Sequence, residues 1–146
     1  NSIKPYKPFS GILMGLSMHP ISLGFFAWFS LLPFLYILFS LRTYKQVFSY
    51  SFLWGFVYHL VVIYWLGTNI GAPSKFIALL SMFGSVLVLS FNTILIFSIW
   101  YFIKQRLPKY QFAIIPIIWV SIEYVRSYGF LGFPWVSLAN SQIDYF

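Results

Sequence analysis

Two oppositely charged side chains, Glu123 and Arg126, stand three residues apart inside an otherwise apolar run. Residues at that spacing share one helix face. In lipid such charges are expensive, roughly 2.5–3.5 kcal/mol each near the bilayer centre on insertion scales. A charge kept at that cost is a candidate for function. The pair can anchor a lipid headgroup or a neighbouring domain. It can equally form an internal ion pair that eases insertion and locks helix packing. The chain then breaks at Gly132-Phe133-Pro134-Trp135. Glycine relaxes the backbone and proline removes a donor, so a regular helix cannot continue there. One reading is a loop that dips into the outer leaflet and shapes a lipid-accessible cleft. The simpler one is an exit turn with Trp135 as an interfacial anchor.

The remaining polar groups carry less chemistry. His59 and Asn92 each sit alone in an apolar run, where a hydrogen-bonded packing role is the expectation. Tyr64-Trp65-Leu66 followed by Gly71-Ala72-Pro73 reads as an aromatic belt and then a turn. There are only two carboxylates, Glu123 and Asp144, and no cysteine. Thiolate metal sites, disulfides and a cysteine nucleophile are excluded within these residues. Neither a metal site nor a cofactor is expected.

The elements that must position these groups are membrane helices. Hydrophobic residues make up 60% of 146 positions and charged residues 8%, too little charge to cover a soluble surface. Four apolar runs approach or exceed the ~20 residues that cross a bilayer core: Leu23–Leu41, Phe48–Leu66, Phe76–Ile103 and Phe112–Tyr128. A shorter fifth, Phe9–Met18, ends at His19-Pro20. With a cytoplasmic N-terminus and five spans, the inner segments hold Lys4, Lys7, Arg42, Lys45, Lys104, Arg106 and Lys109. The outer ones hold only Lys75 and Arg126. That bias fits the positive-inside rule and places Glu123 and Arg126 near the outer end of the last span. The basic residues lie in short clusters between apolar runs, so the net charge of +7 marks topology and not a nucleic-acid partner. The expected architecture is an all-α polytopic bundle forming one domain over residues 1–146. The chain opens on Asn1 and is expected to be a fragment or a processed product. A removable signal peptide is not expected.

Pro116-x-x-Trp119-x-x-x-Glu123-x-x-Arg126, then Gly132-Phe133-Pro134-Trp135, then Ser141-Gln142 resembles the membrane part of bacterial apolipoprotein N-acyltransferase. Tyr64-Trp65-Leu66 with Gly71 and Pro73, and Leu16–Pro20 followed by Trp28, are similar to that family too. The resemblance implies a multi-pass protein of the bacterial inner membrane. It implies acyl transfer from a phospholipid donor to the N-terminal diacylglyceryl-cysteine of a lipoprotein acceptor. It further implies a nitrilase-like domain with a Glu-Lys-Cys triad that lies outside this chain, so that the chain alone is expected to be inactive. The site residues carried over are Glu123, Arg126, Gly132, Phe133, Pro134, Trp135, Ser141, Gln142, Tyr64 and Trp65, as lipid-cleft or structural candidates. Where family members often have Gly-Tyr before Ser-Gln, this chain has Ala139-Asn140. Two rival classes are a small transporter subunit and a non-catalytic membrane partner of a lipid or glycan synthase.

Overall fold

A computed structural model describes residues 6–18, 23–128 and 137, with the backbone alone given for Tyr6, Lys7, Pro8, Phe26 and Trp28. Among the described residues every regular element is helical: α1 (Tyr6–Leu16), α2 (Ala27–Ser40), α3 (Tyr44–Ile63), α4 (Lys75–Arg106) and α5 (Ile114–Ser127). Each of the five apolar runs of the sequence contributes one of them. Tyr44–Thr68 and Lys75–Arg106 are long and apolar enough to cross a membrane. The other three helices are shorter, at 11, 14 and 14 residues.

Polar caps set where the long helices begin. Thr43 Oγ1 accepts the Gln46 N–H at 3.3 Å, and Gln46 Oε1 accepts the Arg42 N–H at 3.1 Å. This pair resembles a capping box: the first bond satisfies an orphan donor of the first turn, and the second holds the residue before the cap. Ser74 caps α4 in the same manner, accepting from Ile77 N–H at 3.2 Å. Pro33 lies inside α2 without ending it. Pro116 falls in the first turn of α5, where a missing N–H removes no helix bond.

The helices alternate in direction. Tyr44 at the start of α3 meets Tyr101 near the end of α4, with ring centroids 4.7 Å apart. Lys104 Nζ donates to Phe39 O at 2.7 Å, so α2 ends beside them. Gly11 and Gly15 of α1 face Trp54–Tyr58 and Tyr58–Val61 of α3 in that order, so α1 runs parallel to α3. Arg42, Lys45, Lys104, Arg106 and Lys109 therefore gather at one end, and Lys75 begins α4 at the other.

Close backbone approach holds α1 on α3. A Cβ at Gly15 would lie 2.5 Å from Val61 Cβ, and one at Gly11 would lie 3.1 Å from Trp54 O. Two small residues four apart let helices touch where side chains would hold them off. Above this contact sits an aromatic core. Phe34 stacks on Trp54 at 4.8 Å and meets Phe97 edge-on at 5.0 Å. Trp54 Nε1 donates to Ser10 Oγ at 3.1 Å, and Ser10 Oγ in turn donates to Ser30 O. A single buried indole thus links α1, α2 and α3.

Candidate functional site

Helix α5 brings the charged pair to the bundle. Its 14 residues reach about 21 Å at ~1.5 Å per residue, short of the roughly 30 Å bilayer core. It starts at the basic end, after the 3₁₀ turn Pro108–Tyr110. Glu123 and Arg126 consequently stand partway along α3 and α4 and not level with their far ends. Roughly 20 Å of helix separates His59 from Tyr44, and Asn92 from Arg106. At that level Tyr58 and His59 of α3, Asn92 and Thr93 of α4, and Trp119, Glu123 and Arg126 of α5 line one small cavity. The sequence reading places the pair near the outer end of its span. In α5 the pair does lie toward the end away from the basic cluster, with Arg126 in the last turn, and the shortness of the helix sets that end at the depth of His59 and Asn92.

The Glu123 carboxylate is held at both oxygens. Oε1 accepts from Trp119 Nε1 at 2.8 Å, and Oε2 accepts from Ser137 Oγ at 2.9 Å. The first bond is one helical turn long. The second joins residues 14 apart and draws the chain beyond α5 back to its last turn. A carboxylate acceptor makes each bond stronger than a neutral one. Trp119 is itself fixed by packing. It is 8% exposed, and its ring lies 6.3 Å from Trp54 and 6.0 Å from Phe97. The carboxylate is therefore oriented by the aromatic core and in turn orients Ser137. At the end of α5, Tyr128 turns to extended backbone. Its hydroxyl donates to Tyr124 Oη at 2.8 Å.

His59 is buried, and its Nδ1 lies 2.7 Å from Gly55 O. A carbonyl only accepts, so Nδ1 is the donor. The sequence reading takes His59 and Asn92 as isolated packing residues, whereas the fold sets both around one cavity with Glu123 and Arg126. Nothing local could have paired them, because the three helices meet only in the folded bundle. Ser137 also escapes sequence reading: a lone serine after a helix break carries no periodic signal.

Tyr64 and Trp65 stand apart from this cluster, in the 3₁₀ turn Tyr64–Thr68 that closes α3. Tyr64 is exposed, and Thr68 Oγ1 donates to Trp65 O at 2.9 Å. Gly132, Phe133, Pro134, Trp135, Ser141 and Gln142 lie outside the described residues. Among the described residues no group of three or more His, Cys, Asp or Glu side chains is placed to hold a metal ion.

The chain has clear relatives. It is 30% identical over 139 residues to the apolipoprotein N-acyltransferase of Pasteurella multocida, a match that covers 93% of this chain and 26% of that protein. It is 24% identical over 135 residues to the protein of the same name from Geobacter metallireducens, covering 91% of this chain and 26% of the relative. The Rickettsia prowazekii protein of that name is 28% identical over 130 residues, covering 86% and 25%. The chain thus spans about a quarter of the length of the relatives it matches. No solved structure matches it significantly. The family model described as "Apolipoprotein N-acyltransferase N-terminal domain" matches residues 10–146, and the chain belongs to that family.

Proposed function

We propose that this chain is the N-terminal membrane portion of an apolipoprotein N-acyltransferase, and that it holds the lipid side of the reaction for a catalytic domain elsewhere in the protein. The reaction is transfer of an acyl chain from a phospholipid to the α-amino group of a lipoprotein's diacylglyceryl-cysteine. Glu-Lys-Cys chemistry in the catalytic domain would supply the nucleophile and the charge stabilisation. The chain alone is inactive in this reading.

The observation that carries the reading within the chain is the doubly bonded Glu123 carboxylate. It fixes Ser137, and so the start of the stretch leading to Ser141-Gln142, against the end of α5. A chain segment at membrane depth is tolerated where protein or water meets its polar groups. The Gly132–Trp135 stretch, joined to α5 on one side and to Ser137 on the other, is the proposed wall of a lipid cleft. Arg126 lines the cavity at the same end of α5.

The alternation of helix direction supports five passes with the N-terminus inside. The five basic residues at one end of the bundle support a cytoplasmic assignment for that end. The proposed location is the bacterial inner membrane. A transporter subunit would need a continuous polar path, and the cavity around His59 and Asn92 measures only ≈ 10 Å³, about the room for one water.

The test is the intact mass of a reporter lipoprotein in bacteria depleted of their own N-acyltransferase and supplied with the full-length protein. A gain of one acyl chain on the N-terminal cysteine is expected. A reporter that stays diacylated contradicts the proposal.

A further inference from the structure

The cavity that Glu123 and Arg126 share with α3 and α4 has a second property, independent of acyl transfer. Tyr58 lines it, is 2% exposed, and its Oη makes no hydrogen bond among the described residues. A buried hydroxyl left without a partner is destabilising, and native proteins rarely keep one. Tyr58 is not there for packing area alone, since phenylalanine would supply nearly the same surface.

The neighbouring groups complement it. His59 Nδ1 is spent on Gly55 O at 2.7 Å. With the proton on Nδ1, the neutral ring keeps an accepting lone pair on Nε2. Tyr58 and His59 rings lie 4.6 Å apart. Asn92 brings an amide, donor and acceptor in one side chain, from α4. Among the groups of this lining, Tyr58, His59 and Asn92 thus offer one donor, one acceptor and one group that is both. Its volume, ≈ 10 Å³, sits at the lower bound for a single water and far below that for a lipid headgroup or a sugar.

We infer that the cavity is a binding site for one structural water, which accepts from Tyr58 Oη, donates to His59 Nε2 and is shared with Asn92. The water bridges α3 and α4 under the end of α5. It lets a tyrosine, a histidine and an asparagine stay polar at membrane depth.

The sign of one stability change tests this in the full-length protein reconstituted in nanodiscs. If the site holds water, Tyr58→Phe strips that water of a donor, and Tm falls by a few degrees. If the site is dry, the same substitution removes a costly orphan hydroxyl, and Tm rises or stays. Either of those results overturns the inference. A high-resolution map supplies the second readout. An isolated peak within hydrogen-bond distance of Tyr58 Oη, lost in Tyr58→Phe, is expected. Continuous chain density at that position, or no peak, overturns it.

Discussion

Helix α3 is gripped from two sides in opposite ways. Toward α1 the contact is backbone against side chain, with Gly11 and Gly15 set into the surface of Trp54, Val57, Tyr58 and Val61. Toward α5 it is a set of polar side chains around a cavity, backed by the Trp54–Trp119 ring contact. The first contact depends chiefly on shape, with one hydrogen bond across it from Trp54 Nε1 to Ser10 Oγ, and any added atom opposes it. The second depends on each hydrogen bond being made, and a change of one atom type disturbs it with no change of volume. The comparison separates what builds the bundle from what the bundle presents.

The largest effect is expected on the shape side. Gly15→Leu must displace Val61, whose Cβ would be 2.5 Å from the first added carbon. Overpacking of this kind costs about 1–3 kcal/mol and sometimes more. Thermal unfolding of the full-length protein in detergent should show a large drop in Tm. A Cβ added at Gly84 would meet nothing within 4 Å, so Gly84→Leu should leave Tm nearly unchanged. Equal responses from the two glycines would break the distinction.

Next in size comes Glu123→Leu. It removes the acceptor of two bonds and leaves Trp119 Nε1 and Ser137 Oγ without their partner. A buried donor left unsatisfied costs about 1–3 kcal/mol. Tm should fall less than for Gly15→Leu, while acyl transfer should fall further than stability does. A parallel loss of both would make Glu123 a packing residue and nothing else. The smallest effect belongs to Ser137→Ala, which deletes one hydrogen bond to a half-buried carboxylate. About 1.5 kcal/mol is expected, the lower end for a bond to a charged group, because the pair is only half-buried. Limited proteolysis should show faster cleavage beyond α5 with the helices intact. An unchanged cleavage pattern would mean that Ser137 does not restrain that stretch.

The two sides also differ in how legible they are in the sequence. Helix positions follow from the length of apolar runs, and all five runs become helices because a chain in lipid must satisfy its backbone internally. The caps at Thr43 and Ser74 and the tolerated Pro116 obey local rules as well. The Gly11/Gly15 contact has a local spacing, yet its meaning depends on the partner helix, and nothing in the spacing alone names that partner. The polar site is legible only in part. Glu123 and Arg126 stand out because charge is rare in such a run. Tyr58, Thr93 and Ser137 do not, and His59 and Asn92 stand out only singly, because their relation to Glu123 exists only once three helices and the chain beyond α5 meet. In the run Phe112–Tyr128 and in the helix Ile114–Ser127 alike the pair lies toward the end, with Arg126 in the last turn. What the run does not show is that the helix is short enough to set that end beside His59 and Asn92. The roles of Gly132–Trp135, Ser141 and Gln142 stay proposals, resting on Tyr128 and Ser137 as the nearest described residues.

The most direct test of the central claim is acyl transfer by the full-length protein carrying Glu123→Gln. The amide keeps the shape and one acceptor, but it presents N–H where one carboxylate oxygen stood and loses the charge. Hydrogen bonds to a charged group contribute about 1.5–3 kcal/mol, and each ~1.4 kcal/mol in a barrier is about tenfold in rate. With expression and Tm close to those of the parent, the account predicts that triacylated lipoprotein forms at least about tenfold more slowly. An unchanged rate would contradict the claim that the Glu123 carboxylate holds the chain beyond α5 for catalysis.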